Sequence, residues 1–227
     1  MRPGLTKEIV RKRDGVGAAQ RWKCKRRLLM RIILASSAVV MLCVGCANTY
    51  TITSISRTGA LRAAASALVA LPEDGHFEKI PYPGSGRKAA LAVGAAFARH
   101  LQRVDSTPET AAFAGQLDRA RAGKFDYLIV PTVVHWEDRA TEWSGRPDRI
   151  EIEIRTVDAP SGETLALGSV KGKSKWATLG GDSPEDLLAT PIEAYVAWLF
   201  SPVGMSLPSP RDEQQRPPPK SPKAASD

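Results

Sequence analysis

Residues 149–155 read Arg-Ile-Glu-Ile-Glu-Ile-Arg, and this strict alternation is the strongest structural signal in the chain. The isoleucines would lie on one side of a strand and the charged residues on the other, which is the pattern of a strand with one buried face. The turn sequence Ala-Pro-Ser-Gly follows at 159–162, and residues 163–176 supply a second run with strand composition. This stretch therefore predicts an antiparallel hairpin that has one face in a core.

Extended and helical segments alternate ahead of the hairpin. Apolar runs of strand length occupy residues 67–72 and 125–135, and Pro131 in the second run indicates an edge or a bulge. Between these strands the sequence predicts two helices.

The first predicted helix covers residues 87–101 after a Gly-Ser-Gly turn at 84–86. The second covers residues 109–122, with Thr107 as its cap and Pro108 at its first position, and it ends at Gly123. The expected buried positions are Leu91, Ala95, Phe97, Ala98 and Leu101 in the first helix, and Phe113, Leu117 and Ala120 in the second.

A third helix is predicted near the end of the folded part. Thr190 and Glu193 form a capping-box sequence, with Pro191 at the first helical position. Its expected buried stripe is Ile192, Tyr195, Val196 and Leu199. Helices that alternate with strands, followed by an antiparallel hairpin, predict the α/β class. We expect one compact domain over residues 65–200, with a mixed β-sheet packed by about three helices.

The amino-terminal part carries the signs of export. Residues 1–29 hold ten Lys and Arg against two acidic residues, which accounts for the whole formal net charge of +8. Arg31 and an uncharged apolar stretch at 32–45 then make a leader, residues 30–45. That stretch is shorter than the roughly 20 residues that a spanning helix needs, and it is typical of a signal peptide. Two interpretations of residues 1–29 stay open: a start assigned too early, with translation beginning at Met30, or an unusually long basic leader.

The run Cys-Val-Gly-Cys at 43–46 resembles the lipobox of bacterial lipoproteins, although Cys43 stands where an aliphatic residue is usual. The resemblance implies that diacylglycerol is attached to the Cys46 thiol, that the leader is cut ahead of it, and that the new amine is acylated. Two or three acyl chains suffice for stable residence in a membrane. Ala47, where inner-membrane lipoproteins usually carry Asp, implies the periplasmic leaflet of the outer membrane.

The mature chain has polar flanks. Residues 46–64 are small and polar and predict a tether, while the alternation of Tyr50 and Ile52 with threonine is compatible with a short strand over 50–55. Residues 201–227 contain seven prolines and predict a disordered tail. From Cys46 onward 21 basic and 22 acidic residues nearly cancel, so we expect no nucleic-acid partner.

Two polar stretches, 135–149 and 171–186, hold most of the residues with chemical potential. Tryptophan interleaved with arginine is the composition of binding hot spots and suits a protein or glycan partner. The candidate binding surface is Trp136, Glu137, Arg139, Trp143, Arg146, Lys173, Trp176 and Asp182. We expect Lys171, Lys173 and Lys175 to share one strand face, opposite acidic residues of the first stretch. The simpler alternative is a sheet rim held by exposed ion pairs, worth about 0–1 kcal/mol each, and by tryptophan packing.

Catalysis and metal binding have weaker signals. His135, Glu137 and Asp138 offer donor atoms, but a strand would point Asp138 away from the other two, so no metal or cofactor is predicted. Carboxylates among Glu137, Glu142 and Asp182 would suit a cell-envelope hydrolase, which stays open as the second hypothesis. The chain lacks a Gly-x-Ser-x-Gly elbow, and the run at 84–88 lacks the ending of a phosphate loop. No catalytic residue is assigned.

The run Trp-Glu-Asp-Arg-Ala-Thr-Glu-Trp-Ser-Gly at 136–145, with residues 171–176 and 180–188, resembles an uncharacterised family of proteobacterial lipoproteins classed as a domain of unknown function. The resemblance covers residues 42–200. The order of elements is also similar, more loosely, to envelope-assembly lipoprotein domains and to the amino-terminal domain of TolB, which is an analogy of fold alone. The family offers no established activity, and our hypothesis is a lipid-anchored binding or envelope-assembly protein without enzymatic activity.

Overall fold

The structure is a computed structural model that describes residues 48–138, 147–174 and 183–208. The chain divides into two units, Met1–Ala47 and Asn48–Asp227, and all described residues belong to the second. Its strands are β1 (Thr49–Arg57), β2 (Ser66–Val69), β3 (His76–Phe77), β4 (Ile80–Pro81), β5 (Arg103–Ser106), β6 (Tyr127–Glu137), β7 (Arg149–Asp158) and β8 (Thr164–Lys173). Its helices are α1 (Ser85–Ala98), α2 (Phe113–Ala122) and α3 (Ala189–Leu199), and a 3-10 turn, Pro184–Leu187, leads into α3.

Six strands form one mixed sheet in the order β1-β8-β7-β6-β2-β5, and β3 pairs with β4 in a small separate hairpin. β2 runs parallel to both β5 and β6, while β6, β7, β8 and β1 are antiparallel in succession. The predicted α/β class, with a mixed sheet, an antiparallel hairpin and helices packed on it, is confirmed.

The β7–β8 hairpin has the two faces that the sequence predicts. Ile150, Ile152 and Ile154 are buried in the main core, which lies between the sheet and helices α1 and α3. The charged residues that alternate with them lie on the other face. In the turn, Gly162 adopts a φ of 79°, a conformation that glycine reaches without a steric cost.

A second, smaller core forms on the opposite face of the sheet, under α2. It contains Leu68, Ala70, Leu117, Ala120, Phe125, Leu128, Val157 and Ala159. Since β2 is covered on both faces, its sequence is a continuous apolar run rather than an alternating one. Farther along the α2 face, the ends of β1, β7 and β8 carry exposed polar side chains.

Helix α1 buries a different stripe from the predicted one. Phe97 and Leu101 are buried as expected, but Leu91 is 64% exposed, and Ala95 and Ala98 also face away from the core. The residues packed on the sheet are Ala89, Ala90, Val93, Ala96 and Phe97. Small side chains let this helix approach the sheet closely, so the larger Leu91 does not mark the buried side.

Helix α2 starts at Phe113, later than predicted, and Thr107 does not cap it. The Thr107 hydroxyl accepts a hydrogen bond from the Leu71 N–H at 2.8 Å and donates one to the carbonyl of Glu109 at 3.1 Å. Thr107 therefore extends the junction of β5 with β2. Leu117 and Ala120 are buried as predicted, whereas Phe113 is 40% exposed.

Helix α3 buries Ile192, Tyr195, Val196 and Leu199, and this predicted stripe is confirmed. Its start differs, because the 3-10 turn continues through Leu188 into the helix and no side chain caps it. The capping box forms instead between Ser183 and Asp186, and Glu193 pairs with Arg99 of α1 at 2.7 Å.

Residues 49–57 of the predicted tether form the edge strand β1. Thr49 to Ser54 pair with β8 in unbroken antiparallel register, and Ile52 packs against the main core. The Leu61 N–H donates to the carbonyl of Leu199 at 2.9 Å, so the segment after β1 is also attached to the domain. The folded part therefore includes residues ahead of 65.

Candidate functional site

β1 and β7 begin, and β6 and β8 end, at the same end of the sheet, and their terminal residues form a row on one face. The register places Thr49 of β1 beside Lys173 of β8, Lys173 beside Arg149 of β7, and Arg149 beside Glu137 of β6. The next row on the same face is Thr51, Lys171, Glu151 and His135. These eight residues are called the sheet-end patch below.

Five residues of the patch are exposed to solvent, His135 and Glu151 are half-buried, and Glu137 is buried. A shallow depression of ≈ 370 Å³ lies over it and is lined by Thr49, Tyr50, Thr51, His135, Arg149, Ile150, Glu151, Lys171, Gly172 and Lys173. Sites for small molecules are usually concave and largely enclosed, so this shape is better suited to contact with a larger surface.

Within the second row, one cation is neutralised. The Lys171 ammonium lies 3.0 Å from Glu151 Oε2, and the Ser169 hydroxyl donates to Glu151 Oε1 at 3.0 Å. Both oxygens of this carboxylate are therefore engaged by neighbouring β8.

The first row carries two cations side by side. Arg149 and Lys173 are Cα partners in adjacent antiparallel strands, and both are exposed. Among the described residues, neither has a carboxylate partner. Like charges directly opposite each other on two strands destabilise the pairing, so the fold keeps this positive pair at a cost.

The β6 side of the patch contains a histidine–carboxylate contact. His135 Nε2 lies 3.3 Å from Glu137 Oε2, and the His135 ring meets Phe77 of β3 edge-on, with centroids 5.3 Å apart. The expectation that His135 and Glu137 share a strand face is confirmed. In the described part of the chain, no three His, Cys, Asp or Glu side chains converge as a metal site would require.

The structure separates the residues of the predicted binding surface. Lys173 is exposed and Glu137, in the same row of the patch, is 2% exposed, whereas Trp136 is 3% exposed and lies in the main core. A bulge between Val133 and His135 sets the register that turns Trp136 to the buried side, opposite Ile150. The other members, Arg139, Trp143, Arg146, Trp176 and Asp182, lie outside the described residues, as do Glu142, Lys175 and Cys46.

The lysine ladder of β8 is confirmed where it is described. Lys171 and Lys173 are exposed on one face, and Gly172 and Ser174 are buried on the other. Glu137, an acidic residue of the first stretch, does not face these lysines, because β7 lies between β8 and β6, and Glu142 lies outside the described residues. Lys173 consequently faces Arg149, and Lys171 faces Glu151 from the hairpin itself.

Thr49, Thr51 and Glu151 are patch members that sequence reasoning did not include, whereas Arg149 ends the first polar stretch. The alternation in residues 149–155 does indicate a solvent-facing side. Which residues of four strands share that side depends on the pairing of β1 with β8, which joins positions about 120 residues apart and leaves no local signal.

The Gly-Ser-Gly run is a helix-opening turn, as predicted. Asp74 accepts hydrogen bonds from the Gly86 N–H at 2.8 Å and from the Gly84 N–H at 3.0 Å. Gly84 has a φ of 86°, and a Cβ on Gly86 would lie 2.5 Å from the carbonyl oxygen of Pro72. The backbone donors of this turn are thus engaged by the chain's own carboxylate, where a phosphate loop would use them for phosphate.

A family model described as a domain of unknown function, DUF4823, matches residues 59–199. No curated protein matches the sequence. Among solved structures, the PelC dodecamer from Paraburkholderia phytofirmans is 15% identical with a TM-score of 0.53, covering 67% of this chain and 98% of that chain. At this identity the likeness concerns the fold alone.

Two further structures have lower TM-scores. Lipoprotein GNA1162 from Neisseria meningitidis is 18% identical with a TM-score of 0.37, covering 60% of this chain and 98% of that chain. Protein XCC0632 from Xanthomonas campestris is 13% identical with a TM-score of 0.40, covering 60% of this chain and 84% of that chain.

Proposed function

This chain belongs to the DUF4823 family, and we propose that it is a lipoprotein acylated at Cys46 that holds its α/β domain at the periplasmic leaflet of the outer membrane. There it binds an envelope component, a protein or a glycan, or serves in envelope assembly, without catalysing a reaction. No helix within the described ranges is long and apolar enough to cross a membrane.

The observation that carries this proposal is the position of β1. Only Ala47 and Asn48 separate Cys46 from Thr49, the first residue of a strand that is hydrogen-bonded into the sheet. An extended chain covers at most about 3.6 Å per residue, so the Cys46 and Thr49 Cα atoms are no more than about 11 Å apart. A lipid on Cys46 would therefore hold the sheet by its edge strand, close to the bilayer.

The character of the described surface favours binding. The sheet-end patch is shallow, charged and exposed, which suits a macromolecular surface better than a small substrate. The hydrolase hypothesis depends on Glu142 and Asp182, which lie outside the described residues, and it remains a prediction from the sequence alone.

Replacing Cys46 tests the anchor. Mass spectrometry of the mature wild-type chain is expected to find an amino-terminal Cys46 carrying diacylglycerol and an amide-linked acyl chain. Cys46→Ser should abolish lipid attachment and deplete the protein from the outer-membrane fraction, since the thiol sulfur is the atom that carries diacylglycerol. Ala47→Asp should leave acylation unchanged and shift the protein to the inner membrane.

The matched control is Cys24→Ser, which removes a cysteine outside the motif and should leave the anchored fraction unchanged. An unmodified Cys46 in the wild type, or a Cys46→Ser protein that still reaches the outer-membrane fraction as the wild type does, would contradict the proposal.

A further inference from the structure

We propose that the sheet-end patch binds the phosphate groups of anionic phospholipids in the leaflet that holds the anchor, so that the domain rests on the bilayer by this end of its sheet. The proposal deepens the proposed function and rests on the acylation of Cys46.

The first argument is position. Neighbouring strands lie about 4.8 Å apart, so the backbones at Lys173 and Arg149 are roughly 5 and 10 Å from Thr49, the residue nearest the anchor. The Debye length in physiological salt is about 8 Å, and both side chains are long enough to close most of these gaps. Both cations therefore lie near the anchored strand, and they would meet lipid headgroups where this end of the sheet faces the bilayer.

The second argument is charge. The patch presents three exposed cations, of which only Lys171 has a carboxylate partner among the described residues. An anion between Arg149 and Lys173 would relieve the repulsion of this opposed pair. A phosphate satisfies the planar fork of arginine and the point charge of lysine together, and the exposed Thr49 and Thr51 add hydroxyl donors beside them.

The third argument is contrast with the other large depression of the described domain. That groove, of ≈ 430 Å³, lies between α1 and α3, and its Arg99 is paired with Glu193. The Trp198 indole N–H there donates to the carbonyl of Met205 at 2.8 Å. The Arg99 and Trp198 donors there are therefore already bonded within the chain, unlike the two cations of the first patch row.

Vesicle binding tests the proposal. The mature chain carrying Cys46→Ser is mixed with vesicles of phosphatidylcholine alone, or of phosphatidylcholine with phosphatidylglycerol, and the bound fraction is measured by sedimentation. We expect binding to the anionic vesicles only, falling steeply as salt is added. Removal of two contacts by Arg149→Gln with Lys173→Gln should weaken it roughly thirtyfold, since each basic residue near an anionic surface contributes about a factor of five.

The control removes the same charge elsewhere. Arg87→Gln with Lys124→Gln changes two exposed basic residues, on α1 and in the α2–β6 connection, and should bind as the parent does. Thermal unfolding should show neither double variant to be less stable than the parent, because all four side chains are exposed.

Equal binding to both vesicle compositions, no binding to either, or equal loss in the two double variants would overturn the headgroup contact. Absence of vesicle binding would leave a protein or glycan as the occupant of the patch. If Cys46 is acylated but the domain does not bind vesicles, the headgroup contact is wrong and the proposed function stands. If Cys46 is unmodified, both the proposed function and the headgroup contact are wrong.

Discussion

At the scale of single residues, Asp126 joins two elements that are distant in sequence. Its Oδ2 accepts hydrogen bonds from the Ser66 N–H at 2.8 Å and the Ser66 hydroxyl at 2.9 Å, and its Oδ1 lies 3.0 Å from Arg62. The backbone N–H of Ser66 is the main reason that the pKa of Asp126 lies below its usual range. This carboxylate fixes the start of β2 beside the start of β6.

Asp126→Ala is expected to lower the free energy of unfolding by about 1–2 kcal/mol at neutral pH, because the Ser66 N–H loses its acceptor. The pKa of Asp126 is lower in the folded state than in the unfolded state. Its contribution to the free energy of unfolding is therefore fully present above the ordinary pKa of 3.8 and is lost as the pH falls through the folded-state pKa. Denaturant titrations from neutral pH into this acid range should show the wild type and the variant converging. A gap that stays constant with pH would contradict the assignment.

Asp105→Ala is the matched control, since Asp105 forms an exposed pair with Arg103 two residues away. Its effect is expected to stay below about 0.5 kcal/mol at every pH.

Trp136 shows why some residue-level predictions failed. Alternation assigns strand residues to two faces, but one extra residue exchanges the faces for everything beyond it. The bulge between Val133 and His135 does this within β6, and nothing in the run His-Trp-Glu indicates it. Trp136, which the composition of this stretch assigns to a binding surface, is therefore a core residue.

At the scale of elements, α3 packs on β8 through one close contact. A Cβ on Gly168 would lie 2.6 Å from the Tyr195 ring, and Tyr195 is fully buried. Burial also raises the pKa of Tyr195, so this side chain stays neutral in the core. Glycine is required here for close approach of the helix to the strand.

Gly168→Ala should lower the free energy of unfolding by about 1–3 kcal/mol, because the buried ring has little space to move. Gly94→Ala is the control: its Cβ would meet nothing nearer than 3.9 Å, in the interior of α1. There alanine should raise the free energy of unfolding by about 0.5–1 kcal/mol. Chemical denaturation would measure the free energy of unfolding of both variants. If alanine lowered it at both positions, the close contact with Tyr195 would not explain the effect at Gly168.

The elements differ in how well the sequence predicts them. The stripe of α3 is correct because its large apolar residues all lie on one side, whereas α1 is rich in alanine and small residues all round, so its pattern does not select a face. β5 has only four residues, mostly polar, and forms by parallel pairing with β2, for which Arg-Val-Asp-Ser carries no local signal.

At the scale of the whole molecule, the domain begins earlier than composition indicates. β1 has few apolar residues because it is an edge strand with one solvent-facing side. From composition alone, such a polar segment is predicted to be a tether. Its partner β8 lies far along the sequence, so the pairing appears only in the folded molecule. Arg57 completes the attachment by lying over the Trp198 ring, 4.3 Å from its centroid.

A chain that starts at residue 58 should therefore be much less stable than one that starts at residue 48, by at least about 3 kcal/mol, since it loses a full strand of backbone hydrogen bonds. Thermal and denaturant unfolding of the two chains would show this as a lower midpoint or as loss of the cooperative transition. Equal midpoints would mean that residues 48–57 are a tether after all.

The irregularity in β1 between Ser54 and Ser56 affects how neighbouring molecules can meet. An outermost strand offers unused backbone donors and acceptors to any other chain, and a kink in it interrupts their even spacing. Ile55, at the kink, is 58% exposed, and its side chain would obstruct the pairing of a straight strand from another molecule with this edge. The interrupted edge therefore limits polymerisation of neighbouring molecules through this strand.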